Sequence, residues 1–75
     1  MSVEKIIIWL DSSFDPEKWR VDVLRRNFEG AYEPFFSSDC ADFPVNVDEY
    51  GPFEEDLLIQ SLKKRFPDAD ISFKF

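Results

Sequence analysis

The sequence contains no histidine and only one cysteine, Cys40, among its 75 residues. An intrachain disulfide and a zinc site built from cysteine and histidine are therefore both excluded. The two glycines are isolated, so the chain has no glycine-rich loop to hold a phosphate group. Without a histidine to act as a general base, Cys40 is not expected to be a nucleophile. These absences predict a protein that is not an enzyme and carries no cofactor.

Long apolar runs are also missing, and the longest extends only from Ile6 to Leu10. A membrane-spanning helix needs about 20 apolar residues, so none is predicted. The N-terminal segment has neither the basic start nor the small-residue cleavage site of a secretion signal. A lone thiol fits a reducing compartment, and we predict a cytoplasmic location.

The chain does contain 44% hydrophobic residues, including 2 Trp, 2 Tyr and 9 Phe, and 33% charged residues. This composition favours a single compact domain over residues 1–75 rather than a disordered acidic chain. A domain of this size buries only about 60% of its unfolded surface, so some of the aromatic side chains should remain exposed.

The first half of the chain predicts a strand and then a helix. In the strand, residues 3–10, apolar side chains occupy both faces, which predicts burial on both sides. The helix would span residues 15–30, because Asp15 and Pro16 suit its start and Gly30 suits its end. The competing interpretation is a second strand, since every second residue from Trp19 to Val23 is apolar.

The second half predicts another helix and a final strand. Residues 31–51 resist assignment and hold either a short edge strand at 43–47 or a functional loop. A helix is predicted to begin near Pro52, with acids in its first turn, bases in its last turn and Pro67 after its end. Its apolar stripe consists of Leu58, Ile59, Leu62 and Phe66. The final strand should be half-buried, with Ile71, Phe73 and Phe75 on one face.

These elements predict an α+β fold in the order β-α-(β)-α-β. A small single-layer sheet of two to three strands would pack against two helices on one face.

The net charge of −7 is concentrated in one part of the chain. Residues 27–62 hold nine acids and no base, whereas acids and bases balance in residues 1–26. The same region is rich in aromatic residues. Carboxylates can bind Arg and Lys through charge-assisted hydrogen bonds, and aromatic rings add cation–π contacts and buried area. The alternative is that the rings fill the core and the acids simply face water.

We predict that this region binds a basic protein surface. The predicted partner-binding residues are Glu33, Phe35, Phe36, Asp39, Asp42, Phe43, Asp48, Glu49, Tyr50, Glu54 and Glu55. The negative charge argues against direct binding to nucleic acid or to an anionic membrane. No metal site is predicted, because the oxygen-bearing residues between Asp39 and Glu49 lack the spacing of an EF-hand loop.

In size and charge, the chain is similar to the small acidic proteins with which phages disable host defences, such as anti-CRISPR, anti-restriction and DNA-mimic inhibitors. Duplex DNA carries about one charge per 1.7 Å of its axis, so aligned carboxylates can occupy a groove that normally binds DNA or RNA. The resemblance implies a non-enzymatic inhibitor of a nucleic-acid-binding protein or nuclease complex, acting in the host cytoplasm. The alternative is a general interaction module (an adaptor, an antitoxin-like regulator or an obligate homodimer) with an exposed aromatic patch.

Overall fold

The computed structural model describes residues 4–74 and shows a four-stranded mixed sheet with one α-helix. Along the chain, the elements are β1 (Glu4–Asp11), β2 (Lys18–Arg26), β3 (Tyr32–Ser37), a 3-10 helix (Val47–Glu49), α1 (Glu55–Arg65) and β4 (Asp70–Lys74). The strands lie in the order β3-β2-β1-β4. β1 is antiparallel to β2 and parallel to β4, and β2 is antiparallel to β3. The prediction of two to three strands with two helices is therefore wrong in the number of strands and in the number of helices.

The segment predicted as the first helix is strand β2. Its apolar residues Trp19, Val21 and Val23 recur with a period of two, and all three are buried. Valine and tryptophan favour strands, and the neighbouring strand β1 supplies pairing partners for Lys18 to Arg25 of β2. The period of two therefore outweighs the end signals that favoured a helix.

Those end signals belong to turns. Pro16 lies in the connection between β1 and β2 and follows a cis peptide bond. Gly30 has a φ of +82°, a left-handed conformation that glycine adopts without strain, and it lies in the turn between β2 and β3. In the same turn, the side chain of Asn27 accepts hydrogen bonds from the backbone N–H groups of Glu29 and Ala31.

One face of the sheet carries the core. Ile6 and Ile8 of β1 are completely buried with Val21 and Val23 of β2. They form one cluster with Leu58 and Leu62 of α1 and with Val47 of the 3-10 helix. The stripe predicted for α1 is confirmed, because Ile59 and Phe66 are half-buried against the same cluster.

The opposite face of the sheet has no second layer among residues 4–74. Side chains alternate along a strand, so Ile7 and Trp9 point away from the core. Both are only half-buried, and the prediction that β1 is buried on both sides is wrong. Val3, which was assigned to the same strand, lies outside the described residues. Trp9 Nε1 donates a hydrogen bond of 3.2 Å to Asp22 on the neighbouring strand.

The long connection between β3 and α1 is held by β2. Trp19 Nε1 donates a 2.5 Å hydrogen bond to the carbonyl oxygen of Gly51, and Ser38 N–H donates to the carbonyl oxygen of Val21. Within residues 31–51, the edge strand lies at 32–37 and not at 43–47, where the described chain forms no strand. The predicted final strand is confirmed as β4, although Phe75 lies outside the described residues.

Candidate binding surface

The predicted partner-binding residues are distributed over three parts of the fold. Glu33, Phe35 and Phe36 are in β3, and Asp39, Asp42 and Phe43 are in the loop that follows. The remaining five, Asp48, Glu49, Tyr50, Glu54 and Glu55, extend from the 3-10 helix to the first turn of α1. The structure therefore places them along the β3–α1 connection and its two ends.

Two of the nine acids in residues 27–62 are compensated within the protein. Asp39 forms an ion pair and hydrogen bond with Arg20, and this bond raises the pKa of the guanidinium above its ordinary value. Asp48 Oδ1 lies 3.9 Å from Lys18 Nζ. Both bases are on β2, so these acids attach the connection to the sheet and are less available to a partner.

The other seven acids make no ion pair within the described part of the chain. They are Glu29, Glu33, Asp42, Glu49, Glu54, Glu55 and Asp56. Three of them are consecutive and exposed at the start of α1, where acids also favour the positive end of the helix dipole. Glu33 lies elsewhere, opposite Arg25 in the pairing of β2 with β3.

Most aromatic residues of the predicted set support the core. Phe36, Phe43 and Tyr50 are half-buried against it, and the Tyr50 hydroxyl lies 2.7 Å from Ser61 Oγ on α1. Phe35 is more exposed, but its ring lies 3.8 Å from the guanidinium carbon of Arg25. The interpretation that the rings fill the core therefore describes three of these four residues.

Two exposed apolar residues near the start of α1 are absent from the predicted partner-binding set. Phe53 is 99% exposed and Leu57, four residues later, is 52% exposed. They flank the acids Glu54, Glu55 and Asp56. The signal was in the sequence, because Leu57 lies outside the apolar stripe of α1. We call these five residues, 53–57, the helix-start surface.

A groove lies between α1 and the β3–α1 connection and reaches Leu57 of the helix-start surface. One part, of about 240 Å³, is lined by Tyr50, Leu57, Gln60, Ser61 and Lys64. A second part, of about 230 Å³, continues towards Pro44, Val45 and Arg65 and shares Tyr50, Ser61 and Lys64 with the first. The described lining is therefore apolar at Leu57, near the start of α1, and basic at Lys64 and Arg65, near its end.

A depression of about 440 Å³ lies on the uncovered face of the sheet. It is lined by Ile7, Trp9, Leu10, Asp22 and Lys74. The carboxylate of Asp22 in this lining accepts the hydrogen bond from Trp9. Within residues 4–74, no three acidic or cysteine side chains are grouped as metal ligands, and Cys40 is exposed.

Comparison of the chain with protein families, with curated proteins and with solved structures finds no match. None of the helices in residues 4–74 has the length and apolar character needed to cross a bilayer.

Proposed function

We propose that this protein is a non-enzymatic inhibitor that binds a basic, nucleic-acid-handling protein, acting as a DNA or RNA mimic of the anti-CRISPR or anti-restriction type. One observation carries the proposal: Phe53 is almost fully exposed beside three carboxylates that have no ion pair within the described chain. An exposed ring next to carboxylates that form no ion pair within the described chain suits a surface of arginines and lysines, which can contact both.

The helix-start surface is the centre of this proposed interface, with Glu49 and Asp42 as further contacts. The two compensated acids, Asp39 and Asp48, contribute less than the sequence suggested. The site of action is proposed to be the cytoplasm of the host cell, in keeping with the free thiol of Cys40.

The test uses proteins captured from host lysate by the full chain. Each captured protein is purified and titrated with labelled DNA or RNA, in the presence of the wild-type chain or of an E54K/E55K variant. We expect the wild type to displace the nucleic acid and the variant to do so at least tenfold less well, since like charges would face the basic site. Glu17→Lys, an exposed charge reversal in the β1–β2 connection, is the control.

Salt dependence provides the second measurement. Association between an acidic and a basic surface weakens as ions screen the charges, so affinity should fall steeply between low and physiological salt. An affinity that stays constant over this range, or a partner that binds while still holding its nucleic acid, would refute the proposal.

The alternative is a general interaction module that uses exposed aromatic residues. The near-complete exposure of Phe28 and Phe53 favours it, because large exposed apolar side chains are typical of interaction sites. A homodimer that is broken by Phe53→Ser and is insensitive to E54K/E55K would favour this class over the inhibitor.

A further inference from the structure

The two edges of the sheet differ in how they are protected. β3, at one edge, contains Pro34, which cannot donate a backbone hydrogen bond, and its pairing with β2 is interrupted by an irregularity between Val23 and Leu24. Prolines and bulges are devices by which edge strands avoid pairing with other chains. β4, at the other edge, has no proline, and its register with β1 is regular from Asp70 to Lys74.

The sequence of β4 is self-complementary in charge. Its five residues place an acid, Asp70, at one end and a base, Lys74, at the other, with Ser72 at the centre. If two copies of β4 ran antiparallel about Ser72, each Asp70 would lie opposite the Lys74 of the second copy. A parallel arrangement in register would instead place like charges opposite one another, which is destabilising.

We propose that β4 is a self-association edge, at which a second copy of this chain pairs antiparallel with β4 about a two-fold axis that passes between the two copies of Ser72. The two sheets would form one sheet of eight strands, in the order β3-β2-β1-β4-β4-β1-β2-β3. Because the axis is perpendicular to the sheet, both α1 helices would lie on the same face and both uncovered faces would be continuous. The helix-start surface is not part of this contact, so the inference does not rest on the proposed inhibitor function.

The charge pairs make the proposal testable by reversal and rescue. The single variants Asp70→Lys and Lys74→Asp each place like charges at two symmetric positions of the interface. The double variant D70K/K74D restores opposite charges at both. Asp70 and Lys74 are exposed, so the reversals leave the core intact. Glu17→Lys, in the β1–β2 connection, makes the same change of charge as Asp70→Lys and is the matched control for that variant.

The measurement is analytical ultracentrifugation of the full chain up to millimolar concentration. We expect a reversible wild-type dimer, a dissociation constant raised about tenfold in each single variant, and a return towards the wild-type value in the double variant. Amide hydrogen exchange at residues 70–74 should slow as the concentration of the wild type rises.

Three results would overturn the proposal. The first is a wild type that remains monomeric over the whole range. The second is a dimer that the single reversals leave unchanged, and the third is a double variant that associates no better than the singles. A dimer that is lost in Phe53→Ser but kept in Asp70→Lys would show that the two copies contact each other through the helix-start surface. This result would also contradict pairing through β4.

Discussion

Single residues decide how much negative charge the protein presents. Arg20 is the clearest example, because its side chain is only 18% exposed and Asp39 is its ion-pair partner. The Nε atom of Arg20 is buried and has no hydrogen-bond partner in the described chain. The contact with Asp39 is therefore the main compensation for a charge that is largely withdrawn from water.

Replacing Asp39 with asparagine should destabilise the protein by about 1 kcal/mol, because the half-buried guanidinium loses its charged acceptor. The comparison is Asp42→Asn, which removes the same charge from an exposed residue without an ion pair and should change stability by less than about 0.5 kcal/mol. Urea unfolding of both variants measures the difference. Equal stability of the two would mean that the contact between Arg20 and Asp39 contributes nothing.

Asp11 should stabilise the first turn in a pH-dependent way. Hydrogen bonds from the Ser13 hydroxyl and then from the Ser13 backbone N–H lower the pKa of Asp11 below its ordinary value of 3.8. A lowered pKa means that the stabilisation is complete above pH 3.8 and is lost as the pH falls through the lower, folded-state value. An NMR titration should show the Asp11 carboxyl and the Ser13 amide changing together below pH 3.8. Independent titration of the two groups would contradict this coupling.

At the scale of elements, α1 has two kinds of leucine next to each other. Leu58 is completely buried and Leu57 is 52% exposed, although they are adjacent and chemically identical. Leu58→Ala should cost about 2–5 kcal/mol, because it leaves a cavity in the core, whereas Leu57→Ala should cost less than about 0.5 kcal/mol. Urea unfolding compares them directly. Similar losses in both variants would mean that α1 is rotated about its axis.

The turn between β2 and β3 depends on the conformation of Gly30. An alanine there would meet Arg26 Nη2 at 3.4 Å, an ordinary contact, so its cost comes from the φ of +82°. Gly30→Ala should destabilise the protein by about 1 kcal/mol. Gly51→Ala is the control, because a Cβ there has no atom within 4 Å. Thermal unfolding should separate the two, and unchanged stability of Gly30→Ala would exclude the left-handed turn.

The sequence predicted the elements whose signals agree with one another. In α1, the apolar stripe, the acidic first turn and the basic last turn all indicated a helix, and the structure contains it. In β2, the period of two competed with Asp15, Pro16 and Gly30, which fit a turn as well as a helix end. The choice depended on pairing with β1, a contact between distant parts of the chain that no local pattern contains.

The candidate surface was predictable only in part, for a related reason. The sequence identifies which acids are in excess, but not which of them fold back onto bases of β2. Phe36, Phe43 and Tyr50 pack against the core. Phe53 does not, because the connection turns at Gly51, whose carbonyl oxygen accepts the hydrogen bond from Trp19. Whether a ring is an anchor or a part of the core is decided by that path.

For the whole molecule, the excess of acids opposes folding. The described chain is elongated, with extents of 39 × 24 × 23 Å, and seven acids of residues 27–62 make no ion pair within it. Raising the ionic strength from 0.01 to 0.15 M shortens the screening length from about 30 to about 8 Å. Repulsion between these acids should weaken, and stability should rise.

The predicted rise is measured by urea unfolding at the two ionic strengths. A variant that lacks two exposed acids, E29Q/D42N, should show a smaller gain, because less repulsion remains to be screened. A fall in wild-type stability with added salt would show that attractive pairs such as Arg20–Asp39 outweigh the repulsion.

The position of the two tryptophans gives the protein two separate optical reporters. Trp19 is 3% exposed inside the core, whereas Trp9 is half-buried on the uncovered face of the sheet. A collisional quencher such as iodide should reach the Trp9 indole far more readily than the Trp19 indole. In a Trp9→Phe variant, the remaining emission comes from Trp19 and therefore reports unfolding of the core. In a Trp19→Phe variant, it comes from Trp9 and reports the binding of any molecule that covers the uncovered face of the sheet.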